Sequence, residues 1–136
     1  MILVDSSVWI DYFNGKDTPE TERLDELLGV EPIAIGDIIA TEVLQGFRED
    51  EDYRAAKSII TDLTMLELLG SERAIRAADV FRSLRKQGIT VRKTIDVIIG
   101  AFCIDEKLPL LYSDRDFDPM VSKSVSYTHL TLPTKA

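Results

Sequence analysis

Apolar residues fall in two patterns along this chain. Four short runs are apolar almost without a break: MILV at 1–4, PIAI at 32–35, TMLELL at 64–69 and PLLYS at 109–113. Runs of that length predict short strands, with the continuous MILV a buried one. Between them, apolar positions recur at helical spacing. Ser6 or Ser7 offers a cap for a short helix beginning near Val8, which NGKD breaks. TPETERLDELLG has helix signals at both ends: Thr18 to cap, Pro19 in the first turn and Gly29 at the exit. Leu24, Leu27 and Leu28 form its apolar stripe. GDIIATEVLQGF predicts a helix capped by Asp37, and the charged turn REDED leads into another that runs to about Thr61. SERAIRAADVFRSLRKQG predicts a long amphipathic helix. Its apolar side is Ala74, Ala77, Ala78, Phe81 and Leu84, with Arg76, Asp79, Arg82 and Lys86 opposite. TIDVIIGAFCIDE predicts a helix buried on most sides, and DRDFDPMV a last turn or helix.

Apolar strands alternating with helices predict the α/β class. The expected architecture is a three-layer α/β/α sandwich around a central, mainly parallel sheet of four to five strands. The length of 136 residues suits one domain, placed here at 1–122. Residues 123–136 differ in character: SKSVSYTHLTLPTKA, from 122 on, is rich in Ser and Thr and lacks clean alternation. It reads as a poor edge strand or as foreign sequence of the kind translated from an adaptor, and it is set aside from functional argument.

Composition narrows the chemistry. Cys103 is the only cysteine and lies in an apolar stretch, so it reads as a small core residue, and a reducing cytoplasm is the expected setting. His129 is the only histidine, which leaves little room for a serine-protease triad or a His-rich zinc site. No apolar run reaches the ~20 residues of a membrane span, and the first residues lack the basic start of a signal peptide. If the chain is an enzyme, carboxylates carry its chemistry. The net charge of −8 argues against a surface that grips nucleic acid everywhere. Yet the charge is uneven: residues 5–31 hold eight acids, and residues 73–93 hold seven bases against Asp79.

In parallel sheets, ligands gather beyond the carboxyl ends of strands. Asp5 follows the first strand, Asp114 the fourth, and Asp116 lies just beyond. Glu42 and Asp96 occur early in apolar helices that start at the same edge, where the helix dipole favours a carboxylate. These acids converge if their strands are neighbours. Like charges so close repel, and a divalent cation removes the conflict. Oxygen ligands suit Mg²⁺ or Mn²⁺, which can activate water and stabilise a phosphoryl leaving group. Each acid also has a plainer reading: Asp5 as a helix cap, Glu42 as the partner of a buried base, Asp96 as a helix-start acid, Asp114 and Asp116 as turn residues.

MILVDSSVWIDYF, IIATEVLQGF, VRKTIDVIIGAFC and LLYSDRDFDPM resemble, in order, the motifs of PIN-domain proteins, especially VapC-type toxins, over about residues 1–121. The resemblance implies a PIN-like fold and a Mg²⁺- or Mn²⁺-dependent endoribonuclease. It implies that Asp5, Glu42, Asp96 and Asp114 form the acidic quartet, with Asp116 an additional acid. Asp5, Asp96 and Asp114 are the expected direct metal ligands, Glu42 binding directly or through water. Ser6 and Ser113 are expected to line the site, and Arg92 and Lys93 to contact phosphate. The partners implied are an RNA substrate, a cognate antitoxin protein and a second copy in a homodimer. DNA would be reached only through the antitoxin, and no membrane is involved. The tail departs from the family, whose chains finish with another short strand.

Two other readings stand beside this one. A phosphotransferase of the haloacid-dehalogenase type would use Asp5 as nucleophile, but needs an aspartate two residues on, where this chain has Ser7. A non-catalytic metal- or antitoxin-binding module would keep the acids without cutting RNA. Trp9 and Tyr12 read as core or dimer contacts rather than stacking platforms for bases. The basic stretch from Arg73 to Lys86 is a candidate RNA guide.

Overall fold

The computed structural model describes residues 1–113, 117, 118 and 120. In chain order the elements are β1 (Ile2–Val4), α1 (Ser6–Phe13), α2 (Pro19–Leu27), β2 (Ile33–Gly36), α3 (Asp37–Gln45), α4 (Asp50–Thr61), β3 (Thr64–Leu66), α5 (Ser71–Lys86), α6 (Thr94–Glu106) and β4 (Leu110–Leu111). All four expected strands form. Residues 121–136, where a fifth strand and the atypical tail would fall, lie outside the described residues.

The strands lie in the order β3-β2-β1-β4, and every pairing is parallel. Leu3 is at the centre, opposite Ala34 on one side and Leu110 on the other. Successive side chains of a strand point to opposite faces. Every residue of β1, β2 and β4 is buried, so both faces of the sheet are covered. Helices provide that cover in two groups: α1 packs with α2 and α3, and α3 with α4; α5 packs along α6. β3 is the exposed edge, with Met65 half exposed.

Local chemistry explains the helix starts, with corrections to the sequence reading. Asp5, not Ser6 or Ser7, caps α1: its carboxylate accepts from the Ser7 N–H, and the helix begins at Ser6. Asp and Ser are comparable caps; Asp5 takes the role because its backbone is extended (φ −70°, ψ 156°) while Ser6 is already helical. Thr18 caps α2 as expected, in a reciprocal pair with Thr21. Asp37 is the first residue of α3 rather than its cap. Its Oδ1 accepts from the N–H groups of Ile38 and, across the sheet edge, Leu68. The Leu68 side chain lies over Gly36, where a Cβ would meet Leu68 Cδ1 at 2.2 Å.

α6 is buried almost all round, and its Cys103 is fully enclosed. Burial pushes the Cys103 thiol far above its ordinary range, with the charge of Asp5 adding to the effect, so the residue is inert packing. The helix closes at Lys107, which takes a left-handed conformation (φ 52°). On α5 the buried stripe is Ala77, Val80 and Leu84. Val80 joins that stripe, whereas Ala74 and Ala78 of the expected apolar side are exposed. Trp9 is fully buried, stacked on Phe13, and so belongs to the core. Beyond β4, Phe117 and Met120 are buried, and the Tyr112 hydroxyl donates to Asp118.

A carboxylate cavity over the central strands

The order β3-β2-β1-β4 sends one connection from β1 toward β2 and brings the chain back on the other side at β4. A crevice opens at such a switch point, beyond the strand ends. Asp5 stands at it. Its N–H donates to the Leu111 carbonyl at 2.9 Å, which pins residue 5 beside the end of β4.

A cavity of about 320 Å³ opens there. Asp5, Ser6, Ser7 and Ile10 of the β1–α1 corner line it, with Glu42 of α3 and Lys93 to Asp96 of the α6 start. Three acids from remote parts of the chain thus share one wall. Asp5 is 2% exposed and Asp96 5%, whereas Glu42 is half-buried. Short hydroxyl side chains hold the carboxylates. Ser7 Oγ donates to Asp5 Oδ2 at 2.6 Å, and Ser113 Oγ donates to Ser7 Oγ at 3.1 Å. Ser6 Oγ donates to Glu42 Oε1 at 3.0 Å.

Asp5 is therefore both a cap and something more. Oδ2 takes both Ser7 donors. Oδ1 is buried without a hydrogen-bond partner. A cap needs only one oxygen, and an orphan carboxylate oxygen in the interior is costly. Burial raises the pKa of Asp5 above its ordinary value; the Ser7 and Ser6 donors pull it back in part, and the charge of Glu42 pushes it up. A cation on the cavity side of Asp5 would reverse that balance.

The residues present fit a hard divalent cation. The cavity's donors are carboxylate and hydroxyl oxygens, and Asp5 Oδ1 has a vacant lone pair. Among the described residues, no three acids are gathered tightly enough to ligate one ion by themselves. Mg²⁺ does not require that, since it commonly takes one or two carboxylates and keeps several waters. Asp114 and Asp116 lie outside the described residues.

The other expected residues divide. Ser6 and Ser113 are in the network. Lys93 is the N-cap residue of α6 and lines the cavity; Arg92, exposed beside it, does not line it. The basic helix is not uniformly available: Arg73 pairs with Glu106, and Arg76 Nε lies 3.1 Å from Asp105. Sequence reasoning missed Ser7 as the link between Asp5 and Ser113, and Ile10 and Thr94 on the cavity wall. Ser7 could have been found from its place two residues after a capping aspartate.

A parallel sheet with an acid-lined crevice at its switch point defines the class of α/β domain to which this architecture conforms. The chain belongs to the PIN domain family, whose profile matches residues 2–121. It is 31% identical over 120 residues to VapC ribonuclease Mb1587 of Mycobacterium bovis, covering 87% of this chain and 90% of that one. It is 33% identical over 109 residues to ribonuclease VapC1 of Methanocaldococcus jannaschii, covering 80% and 72%. The fold is also that of VapBC2 from Rickettsia felis, solved bound to a DNA fragment from their promoter: TM-score 0.70, 16% identity, 90% of this chain and 94% of that one. A toxin–antitoxin complex from Klebsiella pneumoniae gives a TM-score of 0.69 at 20% identity, covering 93% and 94%.

Proposed function

We propose that this chain is a Mg²⁺- or Mn²⁺-dependent endoribonuclease that hydrolyses RNA phosphodiester bonds, and the toxin half of a toxin–antitoxin pair. VapC ribonuclease relatives support the reaction class. The observation that carries the chemistry is Asp5: a buried carboxylate with one oxygen held by Ser7 and the other unpartnered, on a wall shared with Glu42 and Asp96.

Asp5 and Asp96 are the proposed direct ligands among the described residues, with Glu42 direct or through water; the motifs add Asp114 and Asp116. When bound, the cation supplies a water of lowered pKa and neutralises charge on the leaving oxygen. The chain's own residues do the positioning. Ser7 and Ser113 fix the Asp5 plane, and Ser6 fixes that of Glu42. The first turn of α6 opens on the cavity, and a helix N-terminus favours an anionic phosphate. Lys93 on the same wall offers a positive charge to that phosphate. In-line attack by water then leaves 5′-phosphate and 3′-hydroxyl ends.

Structural likeness to VapBC complexes supports an antitoxin partner. DNA is reached through that antitoxin, as a net charge of −8 favours. A homodimer in the cytoplasm completes the proposal. Among the described residues no helix is long and apolar enough to cross a membrane.

The test is cleavage of a broad RNA set by purified protein with Mn²⁺, Mg²⁺ or EDTA, beside Asp96→Asn. Cleavage that requires the cation and vanishes in the variant supports the reading. A folded, metal-loaded protein that leaves all RNAs intact refutes it in favour of the non-catalytic module.

A further inference from the structure

A second cavity, about 430 Å³, runs between α5 and α6 and adjoins the carboxylate cavity at Thr94, which lines both. Its floor is apolar, with Ala78 and Phe81 from α5 and Val97 and Ile98 from α6. Arg82 and Arg85 also line it. Both are exposed, and the Arg85 guanidinium lies 5.0 Å from the centre of the Phe81 ring.

The charges of this helix pair are distributed unequally. Arg73 and Arg76, near the start of α5, are neutralised by Glu106 and Asp105 at the end of α6. Toward the carboxylate cavity the pattern changes: among the described residues no carboxylate pairs with Arg82 or Arg85. In a chain of net charge −8, two such arginines beside an apolar slot are complementary to a polyanion with flat apolar faces. Single-stranded nucleic acid has that chemistry, since bases stack on aromatic rings while arginines hold the backbone.

We propose that this groove is a binding subsite for a nucleotide flanking the cut, its base stacked at Phe81 and its phosphates held by Arg82 and Arg85. The proposal rests on the ribonuclease reading and adds to it which strand of chemistry the groove takes.

The test is binding of a single-stranded RNA oligonucleotide, over a range of salt, to a chain carrying Asp96→Asn to prevent cutting. In that background Arg82→Gln with Arg85→Gln should weaken binding roughly tenfold. It should also flatten the slope of log affinity against log salt by about 1.4, since each phosphate contact in single strands contributes about 0.7. Both positions are exposed, so the variant should fold. Arg73→Gln with Arg76→Gln removes the same charge where carboxylates already neutralise it, and should leave the slope within about 0.3. Phe81→Leu should weaken binding several-fold with the salt slope unchanged. Equal slopes for both arginine pairs overturn the subsite. So does a monomer–dimer equilibrium, read by sedimentation, that moves with Arg82 and Arg85 while RNA binding does not; the groove then holds a second copy. If RNA is cut by the unmodified chain yet the slopes do not differ, only the subsite fails. If the unmodified chain neither binds nor cuts RNA, both readings fail.

Discussion

Asp5→Asn should make the metal-free protein more stable at neutral pH while abolishing cleavage. Asn is as good an N-cap as Asp, so the bonds from the Ser7 N–H and hydroxyl survive and the substitution isolates the charge. What it removes is an ionised carboxylate whose Oδ1 is buried and unpartnered. Such an unsatisfied group costs about 1–3 kcal/mol, and the Asn amide keeps part of that cost, leaving a net gain of about 1–2 kcal/mol. At ~2.1 cal/mol/K per residue, the roughly 120 residues of the matched span unfold with about 0.25 kcal/mol/K. The expected rise in Tm is then roughly 4–8 °C. The sign follows from Asp5's raised pKa, whose first cause is burial. The protonated form's contribution to stability is complete below the unfolded value near 3.9, and is lost as pH rises through the raised folded value. The advantage of Asn over Asp should therefore be absent at the acid end and grow as pH rises to neutrality. The assay is thermal unfolding in EDTA from pH 4 to 8. A parallel series with Mn²⁺ at a hundredfold excess over Kd should raise the unmodified protein by about 2.7 kcal/mol and leave the variant nearly unmoved. If Asp5→Asn instead destabilises the metal-free protein at pH 7, the carboxylate is a structural cap and the metal reading of Asp5 is wrong.

Other outcomes follow from single contacts. Ser7→Ala removes the hydroxyl that bridges Ser113 and Asp5. It should cost about 1.5–3 kcal/mol in chemical denaturation, and move the acid limb of the kcat/KM profile to higher pH because the donor that lowers the Asp5 pKa is gone. Gly36→Ala forces a methyl into Leu68, which is itself buried, and should lower stability by about 1–3 kcal/mol without changing the metal dependence of cleavage. Lys107→Gly relieves a left-handed residue on the surface, and should raise stability by roughly 0.5–1 kcal/mol in the same denaturation assay.

The strands were legible because central parallel strands are buried on both faces and so read as unbroken apolar runs, as Ile2–Val4 and Ile33–Gly36 do. Their order was not legible. Nothing local in Leu110 and Leu111 says that they lie against Leu3 and Val4, yet that pairing sets the end of β4 beside Asp5. The acids stood out as charges in apolar contexts, and Asp5, Glu42 and Asp96 do meet at one cavity. The cap of α1 was misplaced because serine and aspartate at 5–7 are all good caps, and only backbone geometry chooses between them. The basic helix looked uniform in sequence because the acids that neutralise Arg73 and Arg76 are 29 to 33 residues away.

The pairing of β1 with β4 also bears on how such a chain is made. β4 leaves the ribosome roughly a hundred residues after β1, which at 5–20 residues per second is about 5–20 s of translation. For most of that time Asp5 has neither β4 beside it nor Asp96. The acids that share the cavity wall stay scattered until α6 has been made and packed. Parallel pairing across about a hundred residues is slow to form; here that slowness keeps Asp5 apart from Asp96 until both parts of the chain have been made and seated.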